Sequence, residues 1–185
     1  MKKIFSLFLC MVLFGCFSTP DSSFYMLRSM DDQVVSQKKV SVSIYNIIIP
    51  EYVDKPQIVL KQPELAELKV SEFNRWGDEL GEMLKNTFID NLSAMLPNSQ
   101  VNALMYGINS RYIIKIKVEK FSGWLQKNAI LKVQWQILNA NGKVIFSDVK
   151  EYIKNAGKSY DSYVMAQSKL WQKFTYDVAV KLASL

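Results

Sequence analysis

Two cysteines, Cys10 and Cys16, are the only thiols in the chain, and both stand within its first sixteen residues. A thiol can serve as nucleophile, metal ligand, disulfide partner or point of attachment. The chain contains no histidine, which removes Ser-His-Asp and Cys-His catalysis, histidine metal sites and the usual physiological-pH switch together. From Phe17 onward no disulfide framework can form. A general base would have to be a carboxylate, a lysine or a tyrosine. Asp78, Glu79 and Glu82 are the most suggestive carboxylates, but acids at a helix start are first read as compensating the helix macrodipole. Seven glycines scattered singly make no phosphate-binding loop, and neither a GxSxG elbow nor an acidic metal constellation is present. The residues predict no catalytic group, no metal site and no cofactor.

The surroundings of the cysteines assign them a different chemistry. Lys2 and Lys3 form a positive start, and residues 4–14 are apolar apart from Ser6, the order of a signal peptide. Eleven residues fall short of the roughly 20 that a bilayer core needs. Residues 1–15 read as a lipoprotein signal peptide, because Leu13-Phe14-Gly15-Cys16 resembles the lipobox of bacterial lipoproteins, with Leu three positions before the cysteine and a small residue directly before it. Phe14 stands where a small or β-branched residue is more usual. Cys10 follows the bulky Leu9 and is the poorer candidate. Lipidation at Cys16 would place a diacylglycerol thioether on its sulfur and a third acyl chain on its freed amine. At about 0.8 kcal/mol per buried methylene, three chains hold a protein on a membrane effectively permanently. These covalent acyl chains are the only prosthetic chemistry expected. Phe17 follows the cysteine, where an Asp retains enterobacterial lipoproteins in the inner membrane, so the sorting rule points to the outer membrane.

Such an anchor needs a body to hold. The 185 residues, 49% hydrophobic and 22% charged, suffice for one domain with a core. Loss of residues 1–15 removes Lys2 and Lys3 and lowers the net charge from +6 to +4. An exported, mildly basic chain has no route to nucleic acid, and no cluster of four to eight basic residues marks a strong headgroup site. Residues 16–23 read as a lipidated tether and 24–185 as a single domain.

Within that domain, residues 40–44 alternate with the two-residue period of a half-buried strand, continuing into the apolar 47–49 and stopping at Pro50. Residues 57–61 and 64–70 read as two short strands behind Pro56 and Pro63. Leu80, Leu84, Phe88, Leu92 and Met95 mark a helix between Trp76 and Leu96, ended by Pro97. Gly81 within it suggests close packing against a strand. After a short strand at 101–104, the alternation is clearest at 111–119 and 131–137, and Asn141-Gly142 predicts a hairpin to 144–152. A second helix covers 159–184. The aromatic residues, Trp124, Trp135 and Trp171 among them, fall mostly on core stripes. The terminal helix lacks the strongly basic face of an interfacial helix. The order predicts an α+β two-layer sandwich, a mainly antiparallel (mixed) sheet with two helices packed on one face.

Two stretches carry a family resemblance: Ile49-Pro50-Glu51-Tyr52-Val53-Asp54-Lys55-Pro56-Gln57-Ile58-Val59, and Phe73-Asn74-Arg75-Trp76-Gly77-Asp78-Glu79-Leu80. With the lipobox and Tyr25-Met26-Leu27, they make the chain resemble the ABC-type transport auxiliary lipoproteins, the PqiC-like family. Val53 replaces a common Leu of the family pattern, and Gly77 stands where a small residue is usual. The family's Arg-Trp-x-x-x-Leu segment is expected to open the first helix.

The resemblance implies a docking and tethering component of an MCE-type intermembrane phospholipid transport system, lipid-anchored at the outer membrane and facing the periplasm. It implies an MCE-domain protein as partner and, through it, an inner-membrane transport complex, with assembly into a homo-oligomeric ring. The candidate partner-binding residues are Pro50, Tyr52, Asp54, Pro56, Gln57, Arg75 and Trp76. The bland alternative is that the prolines set a strand start and Arg75-Trp76 packs the helix start. A second reading is an outer-membrane assembly lipoprotein of the lipopolysaccharide-insertion type, which also places two helices on a sheet. A third is a carboxylate-based envelope enzyme.

Overall fold

The alternating residues after position 111 fold into three strands of twelve residues each: β6 (Tyr112–Gly123), β7 (Asn128–Asn139) and β8 (Val144–Asn155). The computed structural model describes residues 20–29, 33–61, 67–105 and 109–185. The three strands run antiparallel, with Ile116 opposite Trp135 and Leu131 opposite Tyr152. At the β7–β8 turn the Asn139 carboxamide oxygen accepts from the amides of Asn141 and Lys143, both at 3.0 Å. Gly142 takes the positive φ of 76° that this turn requires.

The remaining strands are β1 (Ser23–Tyr25), β2 (Ser41–Ile44), β3 (Gln57–Lys61), β4 (Leu68–Trp76) and β5 (Gln100–Ala103). They resolve the expected single sheet into two mixed sheets: a five-stranded one in the order β5-β2-β6-β7-β8 and a three-stranded one in the order β1-β4-β3. Strand β2 is parallel to both its neighbours, and β1 is parallel to β4. The strand expected to run from 40 to 49 stops at Ile44, for a geometric reason. Ile44 stands opposite Ile114 and Ile48 opposite Lys117, so one extra residue bulges out between them. Ile48 consequently points outward, while Ile47 and Ile49 pack on the core.

Helix α1 (Leu80–Met95) buries the stripe predicted for it, from Leu80 through Leu84, Phe88 and Leu92 to Met95. It begins later than the resemblance suggested. Arg75 and Trp76 are the last residues of β4, where the Trp76 amide donates to the Pro56 carbonyl and the Gly77 amide to the Tyr25 carbonyl. Backbone groups committed to two neighbouring strands cannot enter a helical ladder. The first turn therefore waits for Leu80, with Met83 donating to the Glu79 carbonyl. The strand expected at 64–70 is β4 from Leu68 on; residues 64–66 lie outside the described residues.

Helix α2 (Tyr160–Ser184) is capped by Ser159, whose hydroxyl accepts from the Ser162 amide while the Ser162 hydroxyl reciprocates. Its inner stripe carries Tyr163, Gln167, Trp171, Phe174, Val178 and Leu182. Phe174 packs against Trp135 of β7 and Tyr152 of β8, and Trp171 against Phe88 of α1. Both helices cover one face of the five-stranded sheet, as the two-layer sandwich predicts. Trp76 of the smaller sheet meets Phe121 of the larger one at 6.1 Å between ring centroids, so one core runs through both.

Candidate functional site

The stretches that carry the resemblance, far apart in sequence, meet in space. Residues 50–55 form a turn in which Val53 donates to the Pro50 carbonyl and Asp54 to that of Glu51. Val53 is buried and pins this turn to the core. The chain then enters β3, whose Gln57 pairs with Arg75. Between this turn and the end of β4 opens a cleft of about 350 Å³, lined by Asp54, Lys55, Pro56, Trp76, Gly77, Asp78, Glu79 and Leu80. Trp76 and Leu80 belong to the buried core, so they give the cleft an apolar floor; Asp54, Asp78 and Glu79 are exposed at its rim. None of the three carboxylates forms an ion pair among the described residues.

The seven candidate residues divide by position. Asp54, Pro56 and Trp76 line the cleft. Gln57 and Arg75 form a cross-strand row with Phe24 of β1, on the face opposite Trp76. Phe24 is 66% exposed on that face, and no signal in the sequence singles it out. Met26, also exposed, lies against Gly77, where a methyl group would come within 2.6 Å of its sulfur. Arg75 keeps its Nε shielded from solvent with no hydrogen-bond partner among the described residues. Pro50 is half-buried at the start of the turn, and Tyr52 packs inward on the core. The Tyr52 hydroxyl accepts from the Phe121 amide at 3.3 Å, and burial pushes its phenol pKa above the ordinary value despite that backbone bond.

The three carboxylates of the cleft are open to solvent, and that of Asp78 accepts from the Glu79 amide at 2.8 Å. Among the described residues no group of three His, Cys, Asp or Glu side chains could hold a metal ion. Two carboxylates outside the cleft are held below the ordinary range by their partners, Glu119 by Lys132 and Asp177 by Lys150 and Tyr152. What the cleft offers is a shaped, apolar-floored and acid-rimmed surface. Cys16 lies outside the described residues, which begin only a few positions later at Pro20.

A family model described as "ABC-type transport auxiliary lipoprotein component" matches residues 25–179. The chain belongs to that family. The match contains both stretches that build the cleft. Among curated proteins, the Intermembrane transport lipoprotein PqiC of Escherichia coli (strain K12) is 23% identical over 189 residues, covering all of both chains, and that of Shigella flexneri matches equally. Two crystal structures share the fold. An uncharacterised protein superposes with a TM-score of 0.76 at 18% identity, covering 88% of this chain and 99% of its own. A Xanthomonas campestris protein gives 0.71 at 14% identity, covering 88% and 95%.

Proposed function

We propose that the chain is an outer-membrane lipoprotein of an intermembrane phospholipid transport system, anchored through acyl chains on Cys16 and docking the periplasmic MCE-domain protein of that system through the cleft. Family membership and the PqiC relatives, named as intermembrane transport lipoproteins, support the transport role. The observation that carries the docking role is the cleft itself: turn 50–55 and the β4–α1 junction converge there and leave apolar floor and unpaired carboxylates open to a partner. The role is mechanical rather than catalytic. The anchor fixes the domain to the membrane and the cleft grips the outer end of the transport assembly. Several copies arranged as a ring would surround the route by which lipid leaves it. Three exposed carboxylates on the rim ask for a partner segment carrying a basic residue beside an apolar one.

A photo-crosslinking residue in place of Asp54, in the full-length lipoprotein expressed in its own cells, tests this. The expected product is an adduct with the MCE-domain protein, absent when the residue is placed at Lys143 on the β7–β8 turn. An adduct from position 54 with an outer-membrane β-barrel instead would overturn the proposal in favour of the assembly-lipoprotein reading.

A further inference from the structure

The five-stranded sheet is covered by helices on one face only, and its open face combines features that the docking cleft does not use. Register runs a continuous row across it: Ile48 beside Lys117, Lys117 opposite Gln134, and Gln134 opposite Val149. Paired residues share a face, and the buried neighbours Ile116 and Val118 lie on the other one. In the adjoining row Lys115 lies 5.3 Å from the centroid of the exposed Tyr45 ring. Ile48 and Val149 are 58% and 47% exposed, and the open surface continues to Ile153 at 57%. Tyr45, Ile48, Lys115 and Lys117 border a shallow groove of about 280 Å³.

The charges on this face are unbalanced. Its two acids are engaged, Glu119 with Lys132 at 2.7 Å and Glu151 with Lys120 at 2.9 Å. Lys115 and Lys117 have no carboxylate partner among the described residues. Lysines beside an exposed tyrosine and aliphatic side chains are the composition that suits a headgroup layer: ammonium groups meet phosphates, and apolar atoms enter the boundary beneath.

We infer that the open face of the five-stranded sheet, centred on Tyr45, Ile48, Lys115 and Lys117, lies against the anionic phospholipid surface of the membrane that holds the anchor. The inference rests on the acylation of Cys16. Six residues lie between Cys16 and Ser23 at the start of β1, and the seven steps along the chain reach at most about 25 Å, so the domain stays within its own diameter of the headgroups. Two lysines, each worth about fivefold in partitioning to an anionic surface, are too few to hold a free protein. A tethered domain needs only to be oriented, because the anchor makes the second contact intramolecular.

The test uses the full-length lipoprotein, purified from membranes and reconstituted in vesicles of phosphatidylethanolamine with or without phosphatidylglycerol. Acylation leaves the mature chain without a free thiol, so Ile48→Cys and, on α2, Val180→Cys each take one environment-sensitive fluorophore. In vesicles containing phosphatidylglycerol, the probe at position 48 is expected to resist an aqueous quencher at least fivefold better than that at position 180. Combining Lys115→Glu with Lys117→Glu is expected to abolish the difference. Equal quenching at both positions would overturn the inference, as would protection that survives the charge reversal. Protection that grows with protein concentration in lipid-free detergent would also overturn it, by assigning the face to a second copy. Labelling of the unsubstituted protein would show a free Cys16 thiol and overturn the acylation beneath the inference, a failure distinct from the others.

Discussion

The indole of Trp171, in the middle of α2, donates to the backbone carbonyl of Leu84 in the second turn of α1 at 3.0 Å, and both residues are fully buried. A side-chain donor reaching a helical carbonyl of another helix fixes rotation and depth at once, which apolar packing alone does less sharply. Trp171→Phe keeps an aromatic ring beside Phe88 and Phe174 but removes the donor and part of the volume. The expected loss is about 1–3 kcal/mol in urea unfolding. A loss under about 0.5 kcal/mol would mean that the hydrogen bond contributes nothing net.

Gly81 offers the opposite sign. The sequence suggested that it allows close packing, yet a methyl group there would meet only the Ile47 carbonyl oxygen and the Ile49 Cδ1, both at 4.0 Å. That is ordinary contact distance, so Gly81→Ala gains helix propensity without a clash. The variant is expected to be about 0.5–1 kcal/mol more stable, read as a rise in the midpoint of thermal unfolding.

How far such features could be read from the chain depends on whether they are local. The alternation of β6 and β7, the Asn141-Gly142 turn and the stripes of both helices follow from neighbours a few residues apart, and the structure has them where the pattern places them. The parallel pairing of β1 and β2 has no such signal: three and four residues join strands about 50 or more positions away. The same applies to Arg75 and Trp76. Their local context suits a helix start, but pairing with β1 and β3 holds them extended, tertiary context overriding local preference. The cleft was legible as two stretches with a shared resemblance. The inward turn of Tyr52 and Trp76 was not, since an amphipathic aromatic ring serves equally in a core or at a rim.

Asp177 predicts a pH dependence. Burial alone would raise its pKa, but hydrogen bonds from Lys150 and Tyr152, with Lys173 at 3.6 Å, outweigh burial and hold the carboxyl below the ordinary carboxylate range. A folded-state pKa below the unfolded one gives stability that is present above the unfolded value and lost as pH falls through the folded one. Asp177→Asn is therefore expected to cost about 0.5–1 kcal/mol near pH 7. Its stability should then converge with the unsubstituted protein's as the pH falls from about 5 to 2. A constant gap across that range would exclude ionisation of Asp177 as the cause.

Within the cleft, rim and floor should separate in experiment. Asp54 and Asp78 are exposed and form no ion pair among the described residues, so Asp54→Lys with Asp78→Lys should leave unfolding stability unchanged within about 0.5 kcal/mol, while abolishing co-purification of the MCE-domain protein with the full-length lipoprotein. Trp76 is 4% exposed and packs on Phe121, so Trp76→Ala should cost about 3–5 kcal/mol and lose partner binding only through loss of fold. A charge-reversed rim that still docks would move the partner surface away from the cleft.

The anchor is separable from the fold by the same logic. The described domain begins at Pro20, and β1 pairs from Ser23 onward, so no described hydrogen bond depends on Cys16. Cys16→Ala should leave thermal unfolding of the domain unchanged and release it from membranes, because the acyl chains on Cys16 are its proposed attachment and two unpaired lysines orient a tethered domain without retaining a free one. Fractionation of cells expressing the variant reads the outcome directly. Retention as tight as that of the unsubstituted chain would remove acylation at Cys16 as the means of attachment.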